Sequence, residues 1–399
     1  MATIIKSSKG KKDLVVVLAP SDDSYLFAQA VAIARQFPEY SSTSGTTATD
    51  LAVEVVLSPQ HDATYAAKNA AMLVDVANVS RGIRMACRLV DTPPNILHSD
   101  AYVEECRAVA AKLGNCEIKV IQGRDLEQQG FGGLWGVGKA SEQLPALVIL
   151  SHVPKGQEQT KSVCLVGKGI VYDTGGLSIK TPTGMPGMKT DMGGSAAVLG
   201  AFEAAVSSGV TGPFHALLCI AENSVGPAAT RPDDVHVMLS GKTVEVNNTD
   251  AEGRLVLSDG CFYASKFLNP KVIIDIATLT GAQLVATGKN HAAVYCNDDG
   301  LEATAIEAGK ATGDLVFPIP YAPEFYRKEF KSEVADMKNS VADRMNAQAS
   351  CAAQFIGNHI EVRWCPLFST PLLVYPTIHT SFITHQIPNN VPRTTPRIA

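Results

Sequence analysis

The sequence predicts an α/β fold, in which a small N-terminal αβ domain precedes a larger domain with a central mixed β-sheet flanked by helices. Two observations support this prediction. Short apolar runs typical of buried strands alternate with helical patterns, and turn-forming residues separate them. At 399 residues the chain is also longer than most single hydrophobic cores. Its 46% hydrophobic and 18% charged residues exclude a mainly disordered, collagen-like or coiled-coil protein.

The N-terminal part of the chain, residues 1–62, is predicted to form the small αβ domain. Its expected elements are two buried strands and an alanine-rich helix, at 14–19, 51–57 and 24–36. A long helical pattern then predicts a linker helix over 63–92. We expect Gly82 to interrupt this helix and a following pair of prolines to end it.

The larger domain, over 93–360, shows the alternation of strands and helices most clearly. Ser99 is expected to cap a helix whose apolar face carries Val103, Val109 and Leu113. Buried strands are expected at 117–121, 146–151, 163–167, 214–221 and 271–277, and helices near 195–207 and 255–268. This order is typical of a sheet covered by helices on both faces.

The last segment, 361–399, differs in composition from the rest of the chain. It contains six of the 22 prolines and no glycine. Proline lacks the backbone N–H that helices and sheets use, and Pro366, Pro371 and Pro376 recur every five residues. We therefore expect an atypical tail with neither a regular helix nor a central strand.

Charge and cysteine usage narrow the class of protein. A net charge of −5 argues against a general nucleic-acid binder. Nine cysteines, an odd number with no CxxC pair, are typical of reduced core residues in a cytoplasmic protein. The polar N-terminus gives no sign of a signal peptide, and no apolar run is long enough for a membrane span.

A first group of chemistry-bearing residues lies at 166–180. An apolar strand leads into Lys168, which is flanked by glycines, and Asp173, a Gly-Gly pair and Lys180 follow. Active sites of open α/β sheets gather beyond the carboxyl ends of strands, and glycines there let the backbone approach a ligand. Asp191 follows eleven residues after Lys180 and opens the next helix. The alternative is a solvated turn in which the lysines pair with the aspartates.

A second group follows the apparent strand 243–246. Residues two apart in an extended segment share a face, so Asp250, Glu252 and Arg254 could point together, as a metal site beside an anion-binding residue. The alternative is a helix N-terminus, capped by Asp250 and with Glu252 favouring the helix dipole.

Together the two groups offer four carboxylates. Clustering them without counter-charge costs several kcal/mol, so paired divalent cations are the natural solution. An oxygen-rich site suits Mg, Mn or Zn, and two such ions about 3.5–4 Å apart can activate water and polarise a carbonyl. The glycine-rich stretch 133–140 is nearly a P-loop, but Ala140 replaces the required hydroxyl residue, so we interpret it as a packing turn. HExxH and GxSxG motifs are both missing from the sequence.

These motifs closely resemble those of the leucyl aminopeptidase family, also called cytosol aminopeptidases. The segment Asn-Thr-Asp-Ala-Glu-Gly-Arg at 248–254 matches the hallmark heptapeptide of that family. The resemblance continues through the segments at 166–169, 172–176, 188–194 and 277–282, and extends from about residue 80 to 360. The amino-acid sequence at 171–174 and 221–226 is most similar to an animal, probable aminopeptidase-like branch of the family.

The resemblance implies a two-metal aminopeptidase that acts on peptides with a free N-terminus, assembled as a hexamer. The implied metal ligands are Lys168, Asp173, Asp191, Asp250 and Glu252. The implied catalytic residues are Lys180, which would stabilise the reaction oxyanion, and Arg254, which would hold a bicarbonate that serves as general base. The implied substrate-binding residues, around an apolar first side chain, are Met188, Asn248, Thr278 and Leu279. The implied ions are Zn or Mn, with Mg or Co as alternatives.

Two departures from the family pattern stand against this reading. The N-terminal domain is shorter than usual, and after 355–360 the family continues with a buried strand, a loop and a last helix, where this chain has its proline-rich tail. The alternative function is therefore a catalytically impaired family member that binds metal, peptides or partner subunits. A different hydrolase with the same metals, such as a dipeptidase, is a third hypothesis.

Overall fold

An eight-stranded mixed β-sheet, flanked by helices, is the main feature of the fold. The computed structural model describes residues 13–18, 25–36, 40–44, 52–57, 70–360 and 367–369. In chain order, strands β1 to β13 are Asp13–Leu18, Ala52–Leu57, Glu117–Gln122, Ala146–His152, Ser162–Asp173, Phe214–Asn223, Val235–Val237, Thr243–Glu245, Pro270–Thr278, Ala292–Val294, Val316–Pro318, Met337–Lys338 and Leu367–Ser369. Helices α1 to α11 are Leu26–Ala34, Ala70–Asp91, Ser99–Leu113, Arg124–Gln128, Gly132–Gly138, Gly193–Ser207, Gly253–Phe267, Gln283–Thr287, Asp299–Thr312, Pro323–Tyr326 and Gln348–Gly357. Two short 3-10 helices are Met188–Thr190 and Arg327–Phe330.

The strand order of the large sheet is β11-β10-β13-β9-β5-β6-β4-β3. The central strands β9, β5 and β6 are parallel, whereas β4 and β3 add antiparallel pairs at one side. A parallel pair, β1 and β2, lies in the N-terminal part, and β12, β8 and β7 form a third sheet. The predicted α/β class, with a mixed sheet flanked by helices, is therefore confirmed.

Side chains of the central strands alternate between two cores, as the pleat of a strand requires. On β4, Leu147 and Ile149 join the core that contains α5, α7 and α11. Ala146, Val148 and Leu150 join the opposite core, which contains α3 and α6. Both faces are buried, which explains why these strands have continuous apolar sequences rather than an alternating pattern.

The linker helix is continuous in the structure, so the predicted interruption at Gly82 is wrong. Helix α2 runs through this residue because Gly82 meets Gly200 of α6 at a close helix crossing. A Cβ atom on Gly82 would lie 2.5 Å from the carbonyl oxygen of Gly200. The glycine therefore serves helix packing, and residues 63–69 of the predicted linker lie outside the described residues.

Two further local predictions are corrected. The helix predicted after Ser99 begins at that residue, and its N-cap is His98, whose side chain accepts a hydrogen bond from the Ala101 N–H. The glycine-rich stretch predicted as a packing turn is helix α5, and its first N–H groups donate to the buried carboxylate of Asp259. A Cβ on Gly132 would lie 2.0 Å from the carbonyl oxygen of Val237, so packing explains the glycines.

The N-terminal elements agree with the sequence pattern. The expected strands and helix correspond to β1, β2 and α1 within a few residues. Leu26, Ala30 and Ile33 of α1 pack on Val16, and Met72 of the linker helix contacts the same cluster. The domain boundaries themselves stay a prediction.

The tail supplies a strand that the prolines were expected to prevent. Strand β13 lies inside the large sheet, parallel to β9 and antiparallel to β10. The three paired residues fall between Pro366 and Pro371, so each retains its backbone N–H. The expectation of no central strand is therefore wrong for 367–369, and the rest of the tail, 361–366 and 370–399, lies outside the described residues.

Membrane-spanning helices and the state of the cysteines can be checked within the described part of the chain. None of its helices has the length and hydrophobicity of a membrane span. Eight cysteines lie there, and all eight are free thiols.

We predict that the three residues of β13 contribute measurably to stability. Within the described residues, β10 and β11 join the sheet through β13, so a chain ending at Ile360 would leave two unpaired strand edges. A chain ending at Ser369 retains the strand. Thermal unfolding should show a lower Tm and more aggregation for the shorter chain, while the longer one behaves like the full chain. Equal melting of the two truncated chains would contradict this.

Candidate active site

The two sequence groups meet at the carboxyl ends of β5 and β9. Asp173 is the last residue of β5, and Lys168 lies five residues earlier on the same strand. Glu252 immediately precedes α7, and Asp191 lies just before α6. Strand β5 was predicted to end at 167, but its pairing with β6 continues to Asp173. Lys168 therefore projects from the strand itself rather than from a loop.

Three carboxylates lie close enough to share a cation. One oxygen each from Asp173, Asp250 and Glu252 lies within 4.8 Å of the others. Asp173 and Glu252 are both 3% exposed, so they are largely shielded from water. The remaining predicted acid, Asp191, is 1% exposed and joins the group through Lys168.

Lys168 is a buried cation bound on several sides. Its Nζ lies 2.7 Å from Asp191 Oδ2 and 2.9 Å from Glu252 Oε1, and it donates to the Thr278 carbonyl at 2.9 Å. Burial alone lowers the pKa of Lys168, but the Asp191 and Glu252 carboxylates outweigh it and raise the pKa above its ordinary value.

Lys180 is the second cation and is more accessible. Its Nζ lies 2.8 Å from Asp173 Oδ2 and contacts Asp250 Oδ1. The Lys180 side chain is 17% exposed, compared with 3% for Lys168. Lys180 thus faces the open side of the acid cluster, where a ligand can reach it. The predicted alternative, lysines paired with aspartates, does occur, but in a buried cluster rather than in a solvated turn.

The acids are electrostatically crowded. Burial and the neighbouring Asp173 raise the pKa values of Asp250 and Glu252. Burial also raises the pKa of Asp191 well above its usual range, and Lys168 only partly opposes this. When ionised, the four carboxylates also outnumber the two lysine ammonium groups, so the cluster has an excess of negative charge.

The donor set suits divalent cations. Glu252 Oε2 is buried and has no hydrogen-bond partner among the described residues, so this oxygen is free to serve as a ligand. Carboxylate oxygens are common ligands of Mn²⁺, Mg²⁺ and Zn²⁺, and added positive charge would relieve the repulsion among the acids. The residues present therefore fit the metal centre that the sequence indicates.

Two glycines shape the loop that follows β5. Gly175 and Gly176 have φ values of 84° and 63°, in the left-handed region that side chains rarely adopt. A Cβ on Gly175 would lie 2.9 Å from Asp250 Oδ1, and one on Gly176 would lie 2.9 Å from Asn223 Oδ1. The Gly-Gly pair therefore lets this loop pass close to the loop that carries Asp250.

Two residues that the sequence reasoning missed hold these loops together. Asn223 Nδ2 donates to Asp173 Oδ1 at 2.9 Å and to the Thr249 carbonyl at 3.1 Å. Thr249 Oγ1 donates to the Gly175 carbonyl at 2.6 Å and accepts from the Ser178 N–H at 2.7 Å. The available signals were the position of Asn223 at the end of a buried strand and the place of Thr249 within the heptapeptide.

The glycines that flank Lys168 serve packing rather than ligand approach, contrary to the prediction. A Cβ on Gly167 would lie 2.4 Å from Ser195 Cα, and one on Gly169 would lie 2.9 Å from the carbonyl oxygen of Cys219. Both glycines face protein atoms, so they allow helix α6 and strand β6 to lie close to β5.

The helix-cap alternative for the second group is wrong about Asp250, which is not the N-cap of α7, whereas Glu252 does lie at the start of this helix. Glu252 occupies the N-cap position of α7, and its side chain makes no capping hydrogen bond. Arg254 is buried, and its Nη1 donates to the Asn339 carbonyl at 2.9 Å. Burial lowers the pKa of Arg254 to about 10, although the nearby Glu252 favours the charged form. The guanidinium therefore remains charged at neutral pH, and its Nε has no partner among the described residues.

The four predicted substrate-binding residues lie at different distances from the acids. Thr278 Oγ1 donates to Asp191 Oδ1 at 2.8 Å, and the Met188 carbonyl accepts from the Asp191 N–H at 3.2 Å. Asn248 Oδ1 accepts from the Asp250 N–H at 3.0 Å, so this amide oxygen is engaged within the loop. Leu279 packs against the core that contains α7.

We predict that Gly253→Ala disturbs Lys168. The new Cβ would lie 2.5 Å from Lys168 Cε and 2.8 Å from its Nζ, so the ammonium group must move away from Asp191 and Glu252. Overpacking of this kind costs about 1–3 kcal/mol, measurable by denaturant unfolding. Calorimetric titration should also show weaker Mn²⁺ binding. Gly212→Ala is the control, because its Cβ would have its nearest neighbour at 4.0 Å. Equal Mn²⁺ affinity in the two variants would refute the idea.

Comparison with known proteins places this geometry in a family. The sequence model described as "Cytosol aminopeptidase family, catalytic domain" matches residues 84–367. Human "Probable aminopeptidase NPEPL1" is 52% identical over 343 residues, covering 85% of this chain. The chain spans 64% of that human protein's length. "Leucine aminopeptidase 1" of Caenorhabditis elegans is 48% identical over 351 residues, which cover 86% of this chain and 69% of the nematode protein.

Solved structures agree with the sequence relatives. The C. elegans leucine aminopeptidase (LAP1) has a TM-score of 0.84 and 43% identity, and the match covers 94% of this chain and 73% of that one. Leucyl aminopeptidase from Trypanosoma brucei in complex with bestatin has a TM-score of 0.81 and 39% identity, with 93% and 70% covered. The resemblance of the motifs, including their similarity to an animal branch, is confirmed, and this chain belongs to the cytosol aminopeptidase family.

Proposed function

We propose that this chain is a metal-dependent aminopeptidase that releases N-terminal, leucine-like amino acids from peptides. The observation that carries the proposal is the group of four carboxylates and two lysines at the carboxyl ends of the central strands, in which Asp173, Asp191, Glu252 and Lys168 are buried. Family membership supports the same reaction class, since leucine aminopeptidases are among the similar proteins.

The residues that would hold two divalent ions are Lys168, Asp173, Asp191, Asp250 and Glu252. When bound, the ions would supply an activated water and polarise the scissile carbonyl. Zn or Mn is the proposed ion, with Mg or Co as alternatives. Lys168 can contribute a lone pair only as the neutral amine.

The two lysines have different proposed roles because their exposure differs. Lys168 is enclosed by Asp191, Glu252 and the Thr278 carbonyl, so it organises the buried side of the centre. Lys180 lies on the accessible side, where its ammonium group can stabilise negative charge on the substrate carbonyl oxygen. Arg254 keeps its charge in a buried position next to Glu252 and would hold a small anion such as bicarbonate as general base.

Substrate selection follows from charge and shape. The free α-amine of the substrate would bind at the metal centre beside Asp191, which restricts cleavage to the first residue of a peptide. Met188, Thr278 and Leu279, with Asn248 nearby, would surround an apolar first side chain. We also propose the domain division given by the sequence, a cytoplasmic location consistent with the free thiols, and a homo-oligomer, with a hexamer as the family-based expectation.

The proposal is tested with the full-length protein loaded with Mn²⁺ or Zn²⁺. We expect hydrolysis of leucine amide and of leucyl peptides, no hydrolysis of their N-acetylated counterparts, and inhibition by a hydroxamic peptide analogue. The acetyl group removes the basic α-amine that the centre would recognise. Metal binding without any turnover would instead favour the alternative, a catalytically impaired family member. Cleavage of dipeptides but not of longer peptides would favour a dipeptidase.

We predict that Lys180→Ala abolishes turnover and leaves the metal content intact. Loss of a preorganised group that stabilises developing negative charge typically costs about 100- to 1,000-fold in kcat. Metal content by atomic emission and kcat on leucine amide are the two measurements. Lys331→Ala is the control, because this lysine is 77% exposed and pairs with Glu333. Loss of metal together with activity would assign Lys180 a structural role instead.

A further inference from the structure

One buried residue outside both sequence motifs contacts the metal-ligand loop along most of its length. Asn339 directly follows β12, which pairs with β8 in parallel, and is 0% exposed. The loop in question runs from the end of β8 to the start of α7, over 247–252, and carries Asp250 and Glu252. These contacts span more than 85 residues of sequence.

The side-chain amide of Asn339 is fully engaged by the backbone of this loop. Its Oδ1 accepts from the Asn247 N–H at 3.0 Å and the Asn248 N–H at 3.3 Å. Its Nδ2 donates to the Asn248 carbonyl at 2.7 Å and the Ala251 carbonyl at 3.2 Å. An asparagine amide offers two donor hydrogens and two acceptor positions, and all four are used here.

The main chain of Asn339 contacts both ends of the loop as well. Its N–H donates to the Glu245 carbonyl, the last residue of β8, at 3.0 Å. Its carbonyl accepts from Arg254 Nη1, in the first turn of α7, at 2.9 Å. One residue therefore links the strand before the loop, the loop itself and the helix after it.

The loop needs such a restraint because its negatively charged side chains lie close to another carboxylate and are repelled by it. One carboxylate oxygen each from Asp250, Glu252 and Asp173 lies within 4.8 Å of the others. Mutual repulsion therefore pushes the loop away from the end of β5. Asn339 resists this movement with neutral groups, so it adds no charge to the centre.

We propose that Asn339 is a positioning residue for the metal centre, holding the loop so that Asp250 and Glu252 are arranged before a cation arrives. This rests on the proposed function, since it assumes that these carboxylates bind metal. Asn339 acts through the loop backbone. Among the hydrogen bonds of the described residues, none joins Asn339 to any of the four acidic side chains. Removing it takes away the partner of the Asn247 and Asn248 N–H groups and of the buried Ala251 carbonyl, and allows the carboxylates to separate.

The test is Mn²⁺ titration of the full-length protein by calorimetry, with Tm measured for every variant. We expect Asn339→Ala to bind Mn²⁺ about 10- to 100-fold more weakly, the usual range for residues that orient metal ligands. Excess Mn²⁺ should restore much of its kcat, because Asn339 is not a catalytic residue. Asn339→Ser, which keeps one hydroxyl for the loop, should fall between the wild type and Asn339→Ala, and provides the measurement if the alanine variant folds poorly.

The control for general destabilisation is Asn78→Ala. Asn78 is 6% exposed and donates to Ser208 Oγ at 2.9 Å, at the contact between the linker helix and the end of α6. It should lower Tm without changing Mn²⁺ affinity. Unchanged Mn²⁺ affinity in folded Asn339 variants would overturn the positioning role. A loss of Mn²⁺ affinity in Asn78→Ala equal to that in Asn339→Ala would overturn it as well. Either result would leave the proposed function standing. Absence of Mn²⁺ and Zn²⁺ binding in the wild type would overturn the proposed function and this role together.

Discussion

Electrostatic crowding of four carboxylates in one pocket, three of them buried, is the constraint on which the rest of this structure depends. Asp173, Asp191 and Glu252 are each at most 3% exposed, so water cannot screen their repulsion. Lys168 and Lys180 neutralise part of this charge and leave an excess of negative charge, which favours added cations. A flexible backbone would let such a group relax by separation, so the pocket exists only if the surrounding chain is rigid.

Neutral hydrogen-bonding side chains provide much of that rigidity. Asn223, Thr249 and Asn339 each bond to the backbone of the loops that carry the acids, and none of them changes the charge of the pocket. Holding the loops with neutral side chains has a physical advantage. Lysines or arginines in the same positions could not accept the loop N–H groups, as Asn339 Oδ1 does, and would compete with cations for the carboxylates.

The sequence predicted the charged residues of this pocket, but not the residues and the strand that hold the surrounding chain in place. Lys168, Asp173, Asp250 and Glu252 lie in short motifs whose residue types indicate their role, and the structure brings them together. Asn339 has no local signal, because its partners lie about 90 residues away and depend on how β12 pairs. Strand β13 was missed for a similar reason, since pairing with β9 and β10 outweighs a proline-rich surrounding sequence.

Close contacts at glycines also restrain the helix that follows Asp191. Helix α6 follows Asp191 directly and touches the linker helix, β5 and β9 at positions where a Cβ would clash. The backbone of Gly200 meets Gly82, that of Ser195 meets Gly167, and a Cβ on Gly194 would lie 2.0 Å from the Ile276 carbonyl oxygen. Three close contacts on different sides fix the start of this helix, and with it Asp191. Gly167, one of the glycines that suggested a ligand-binding segment, therefore acts on the centre through the packing of this helix.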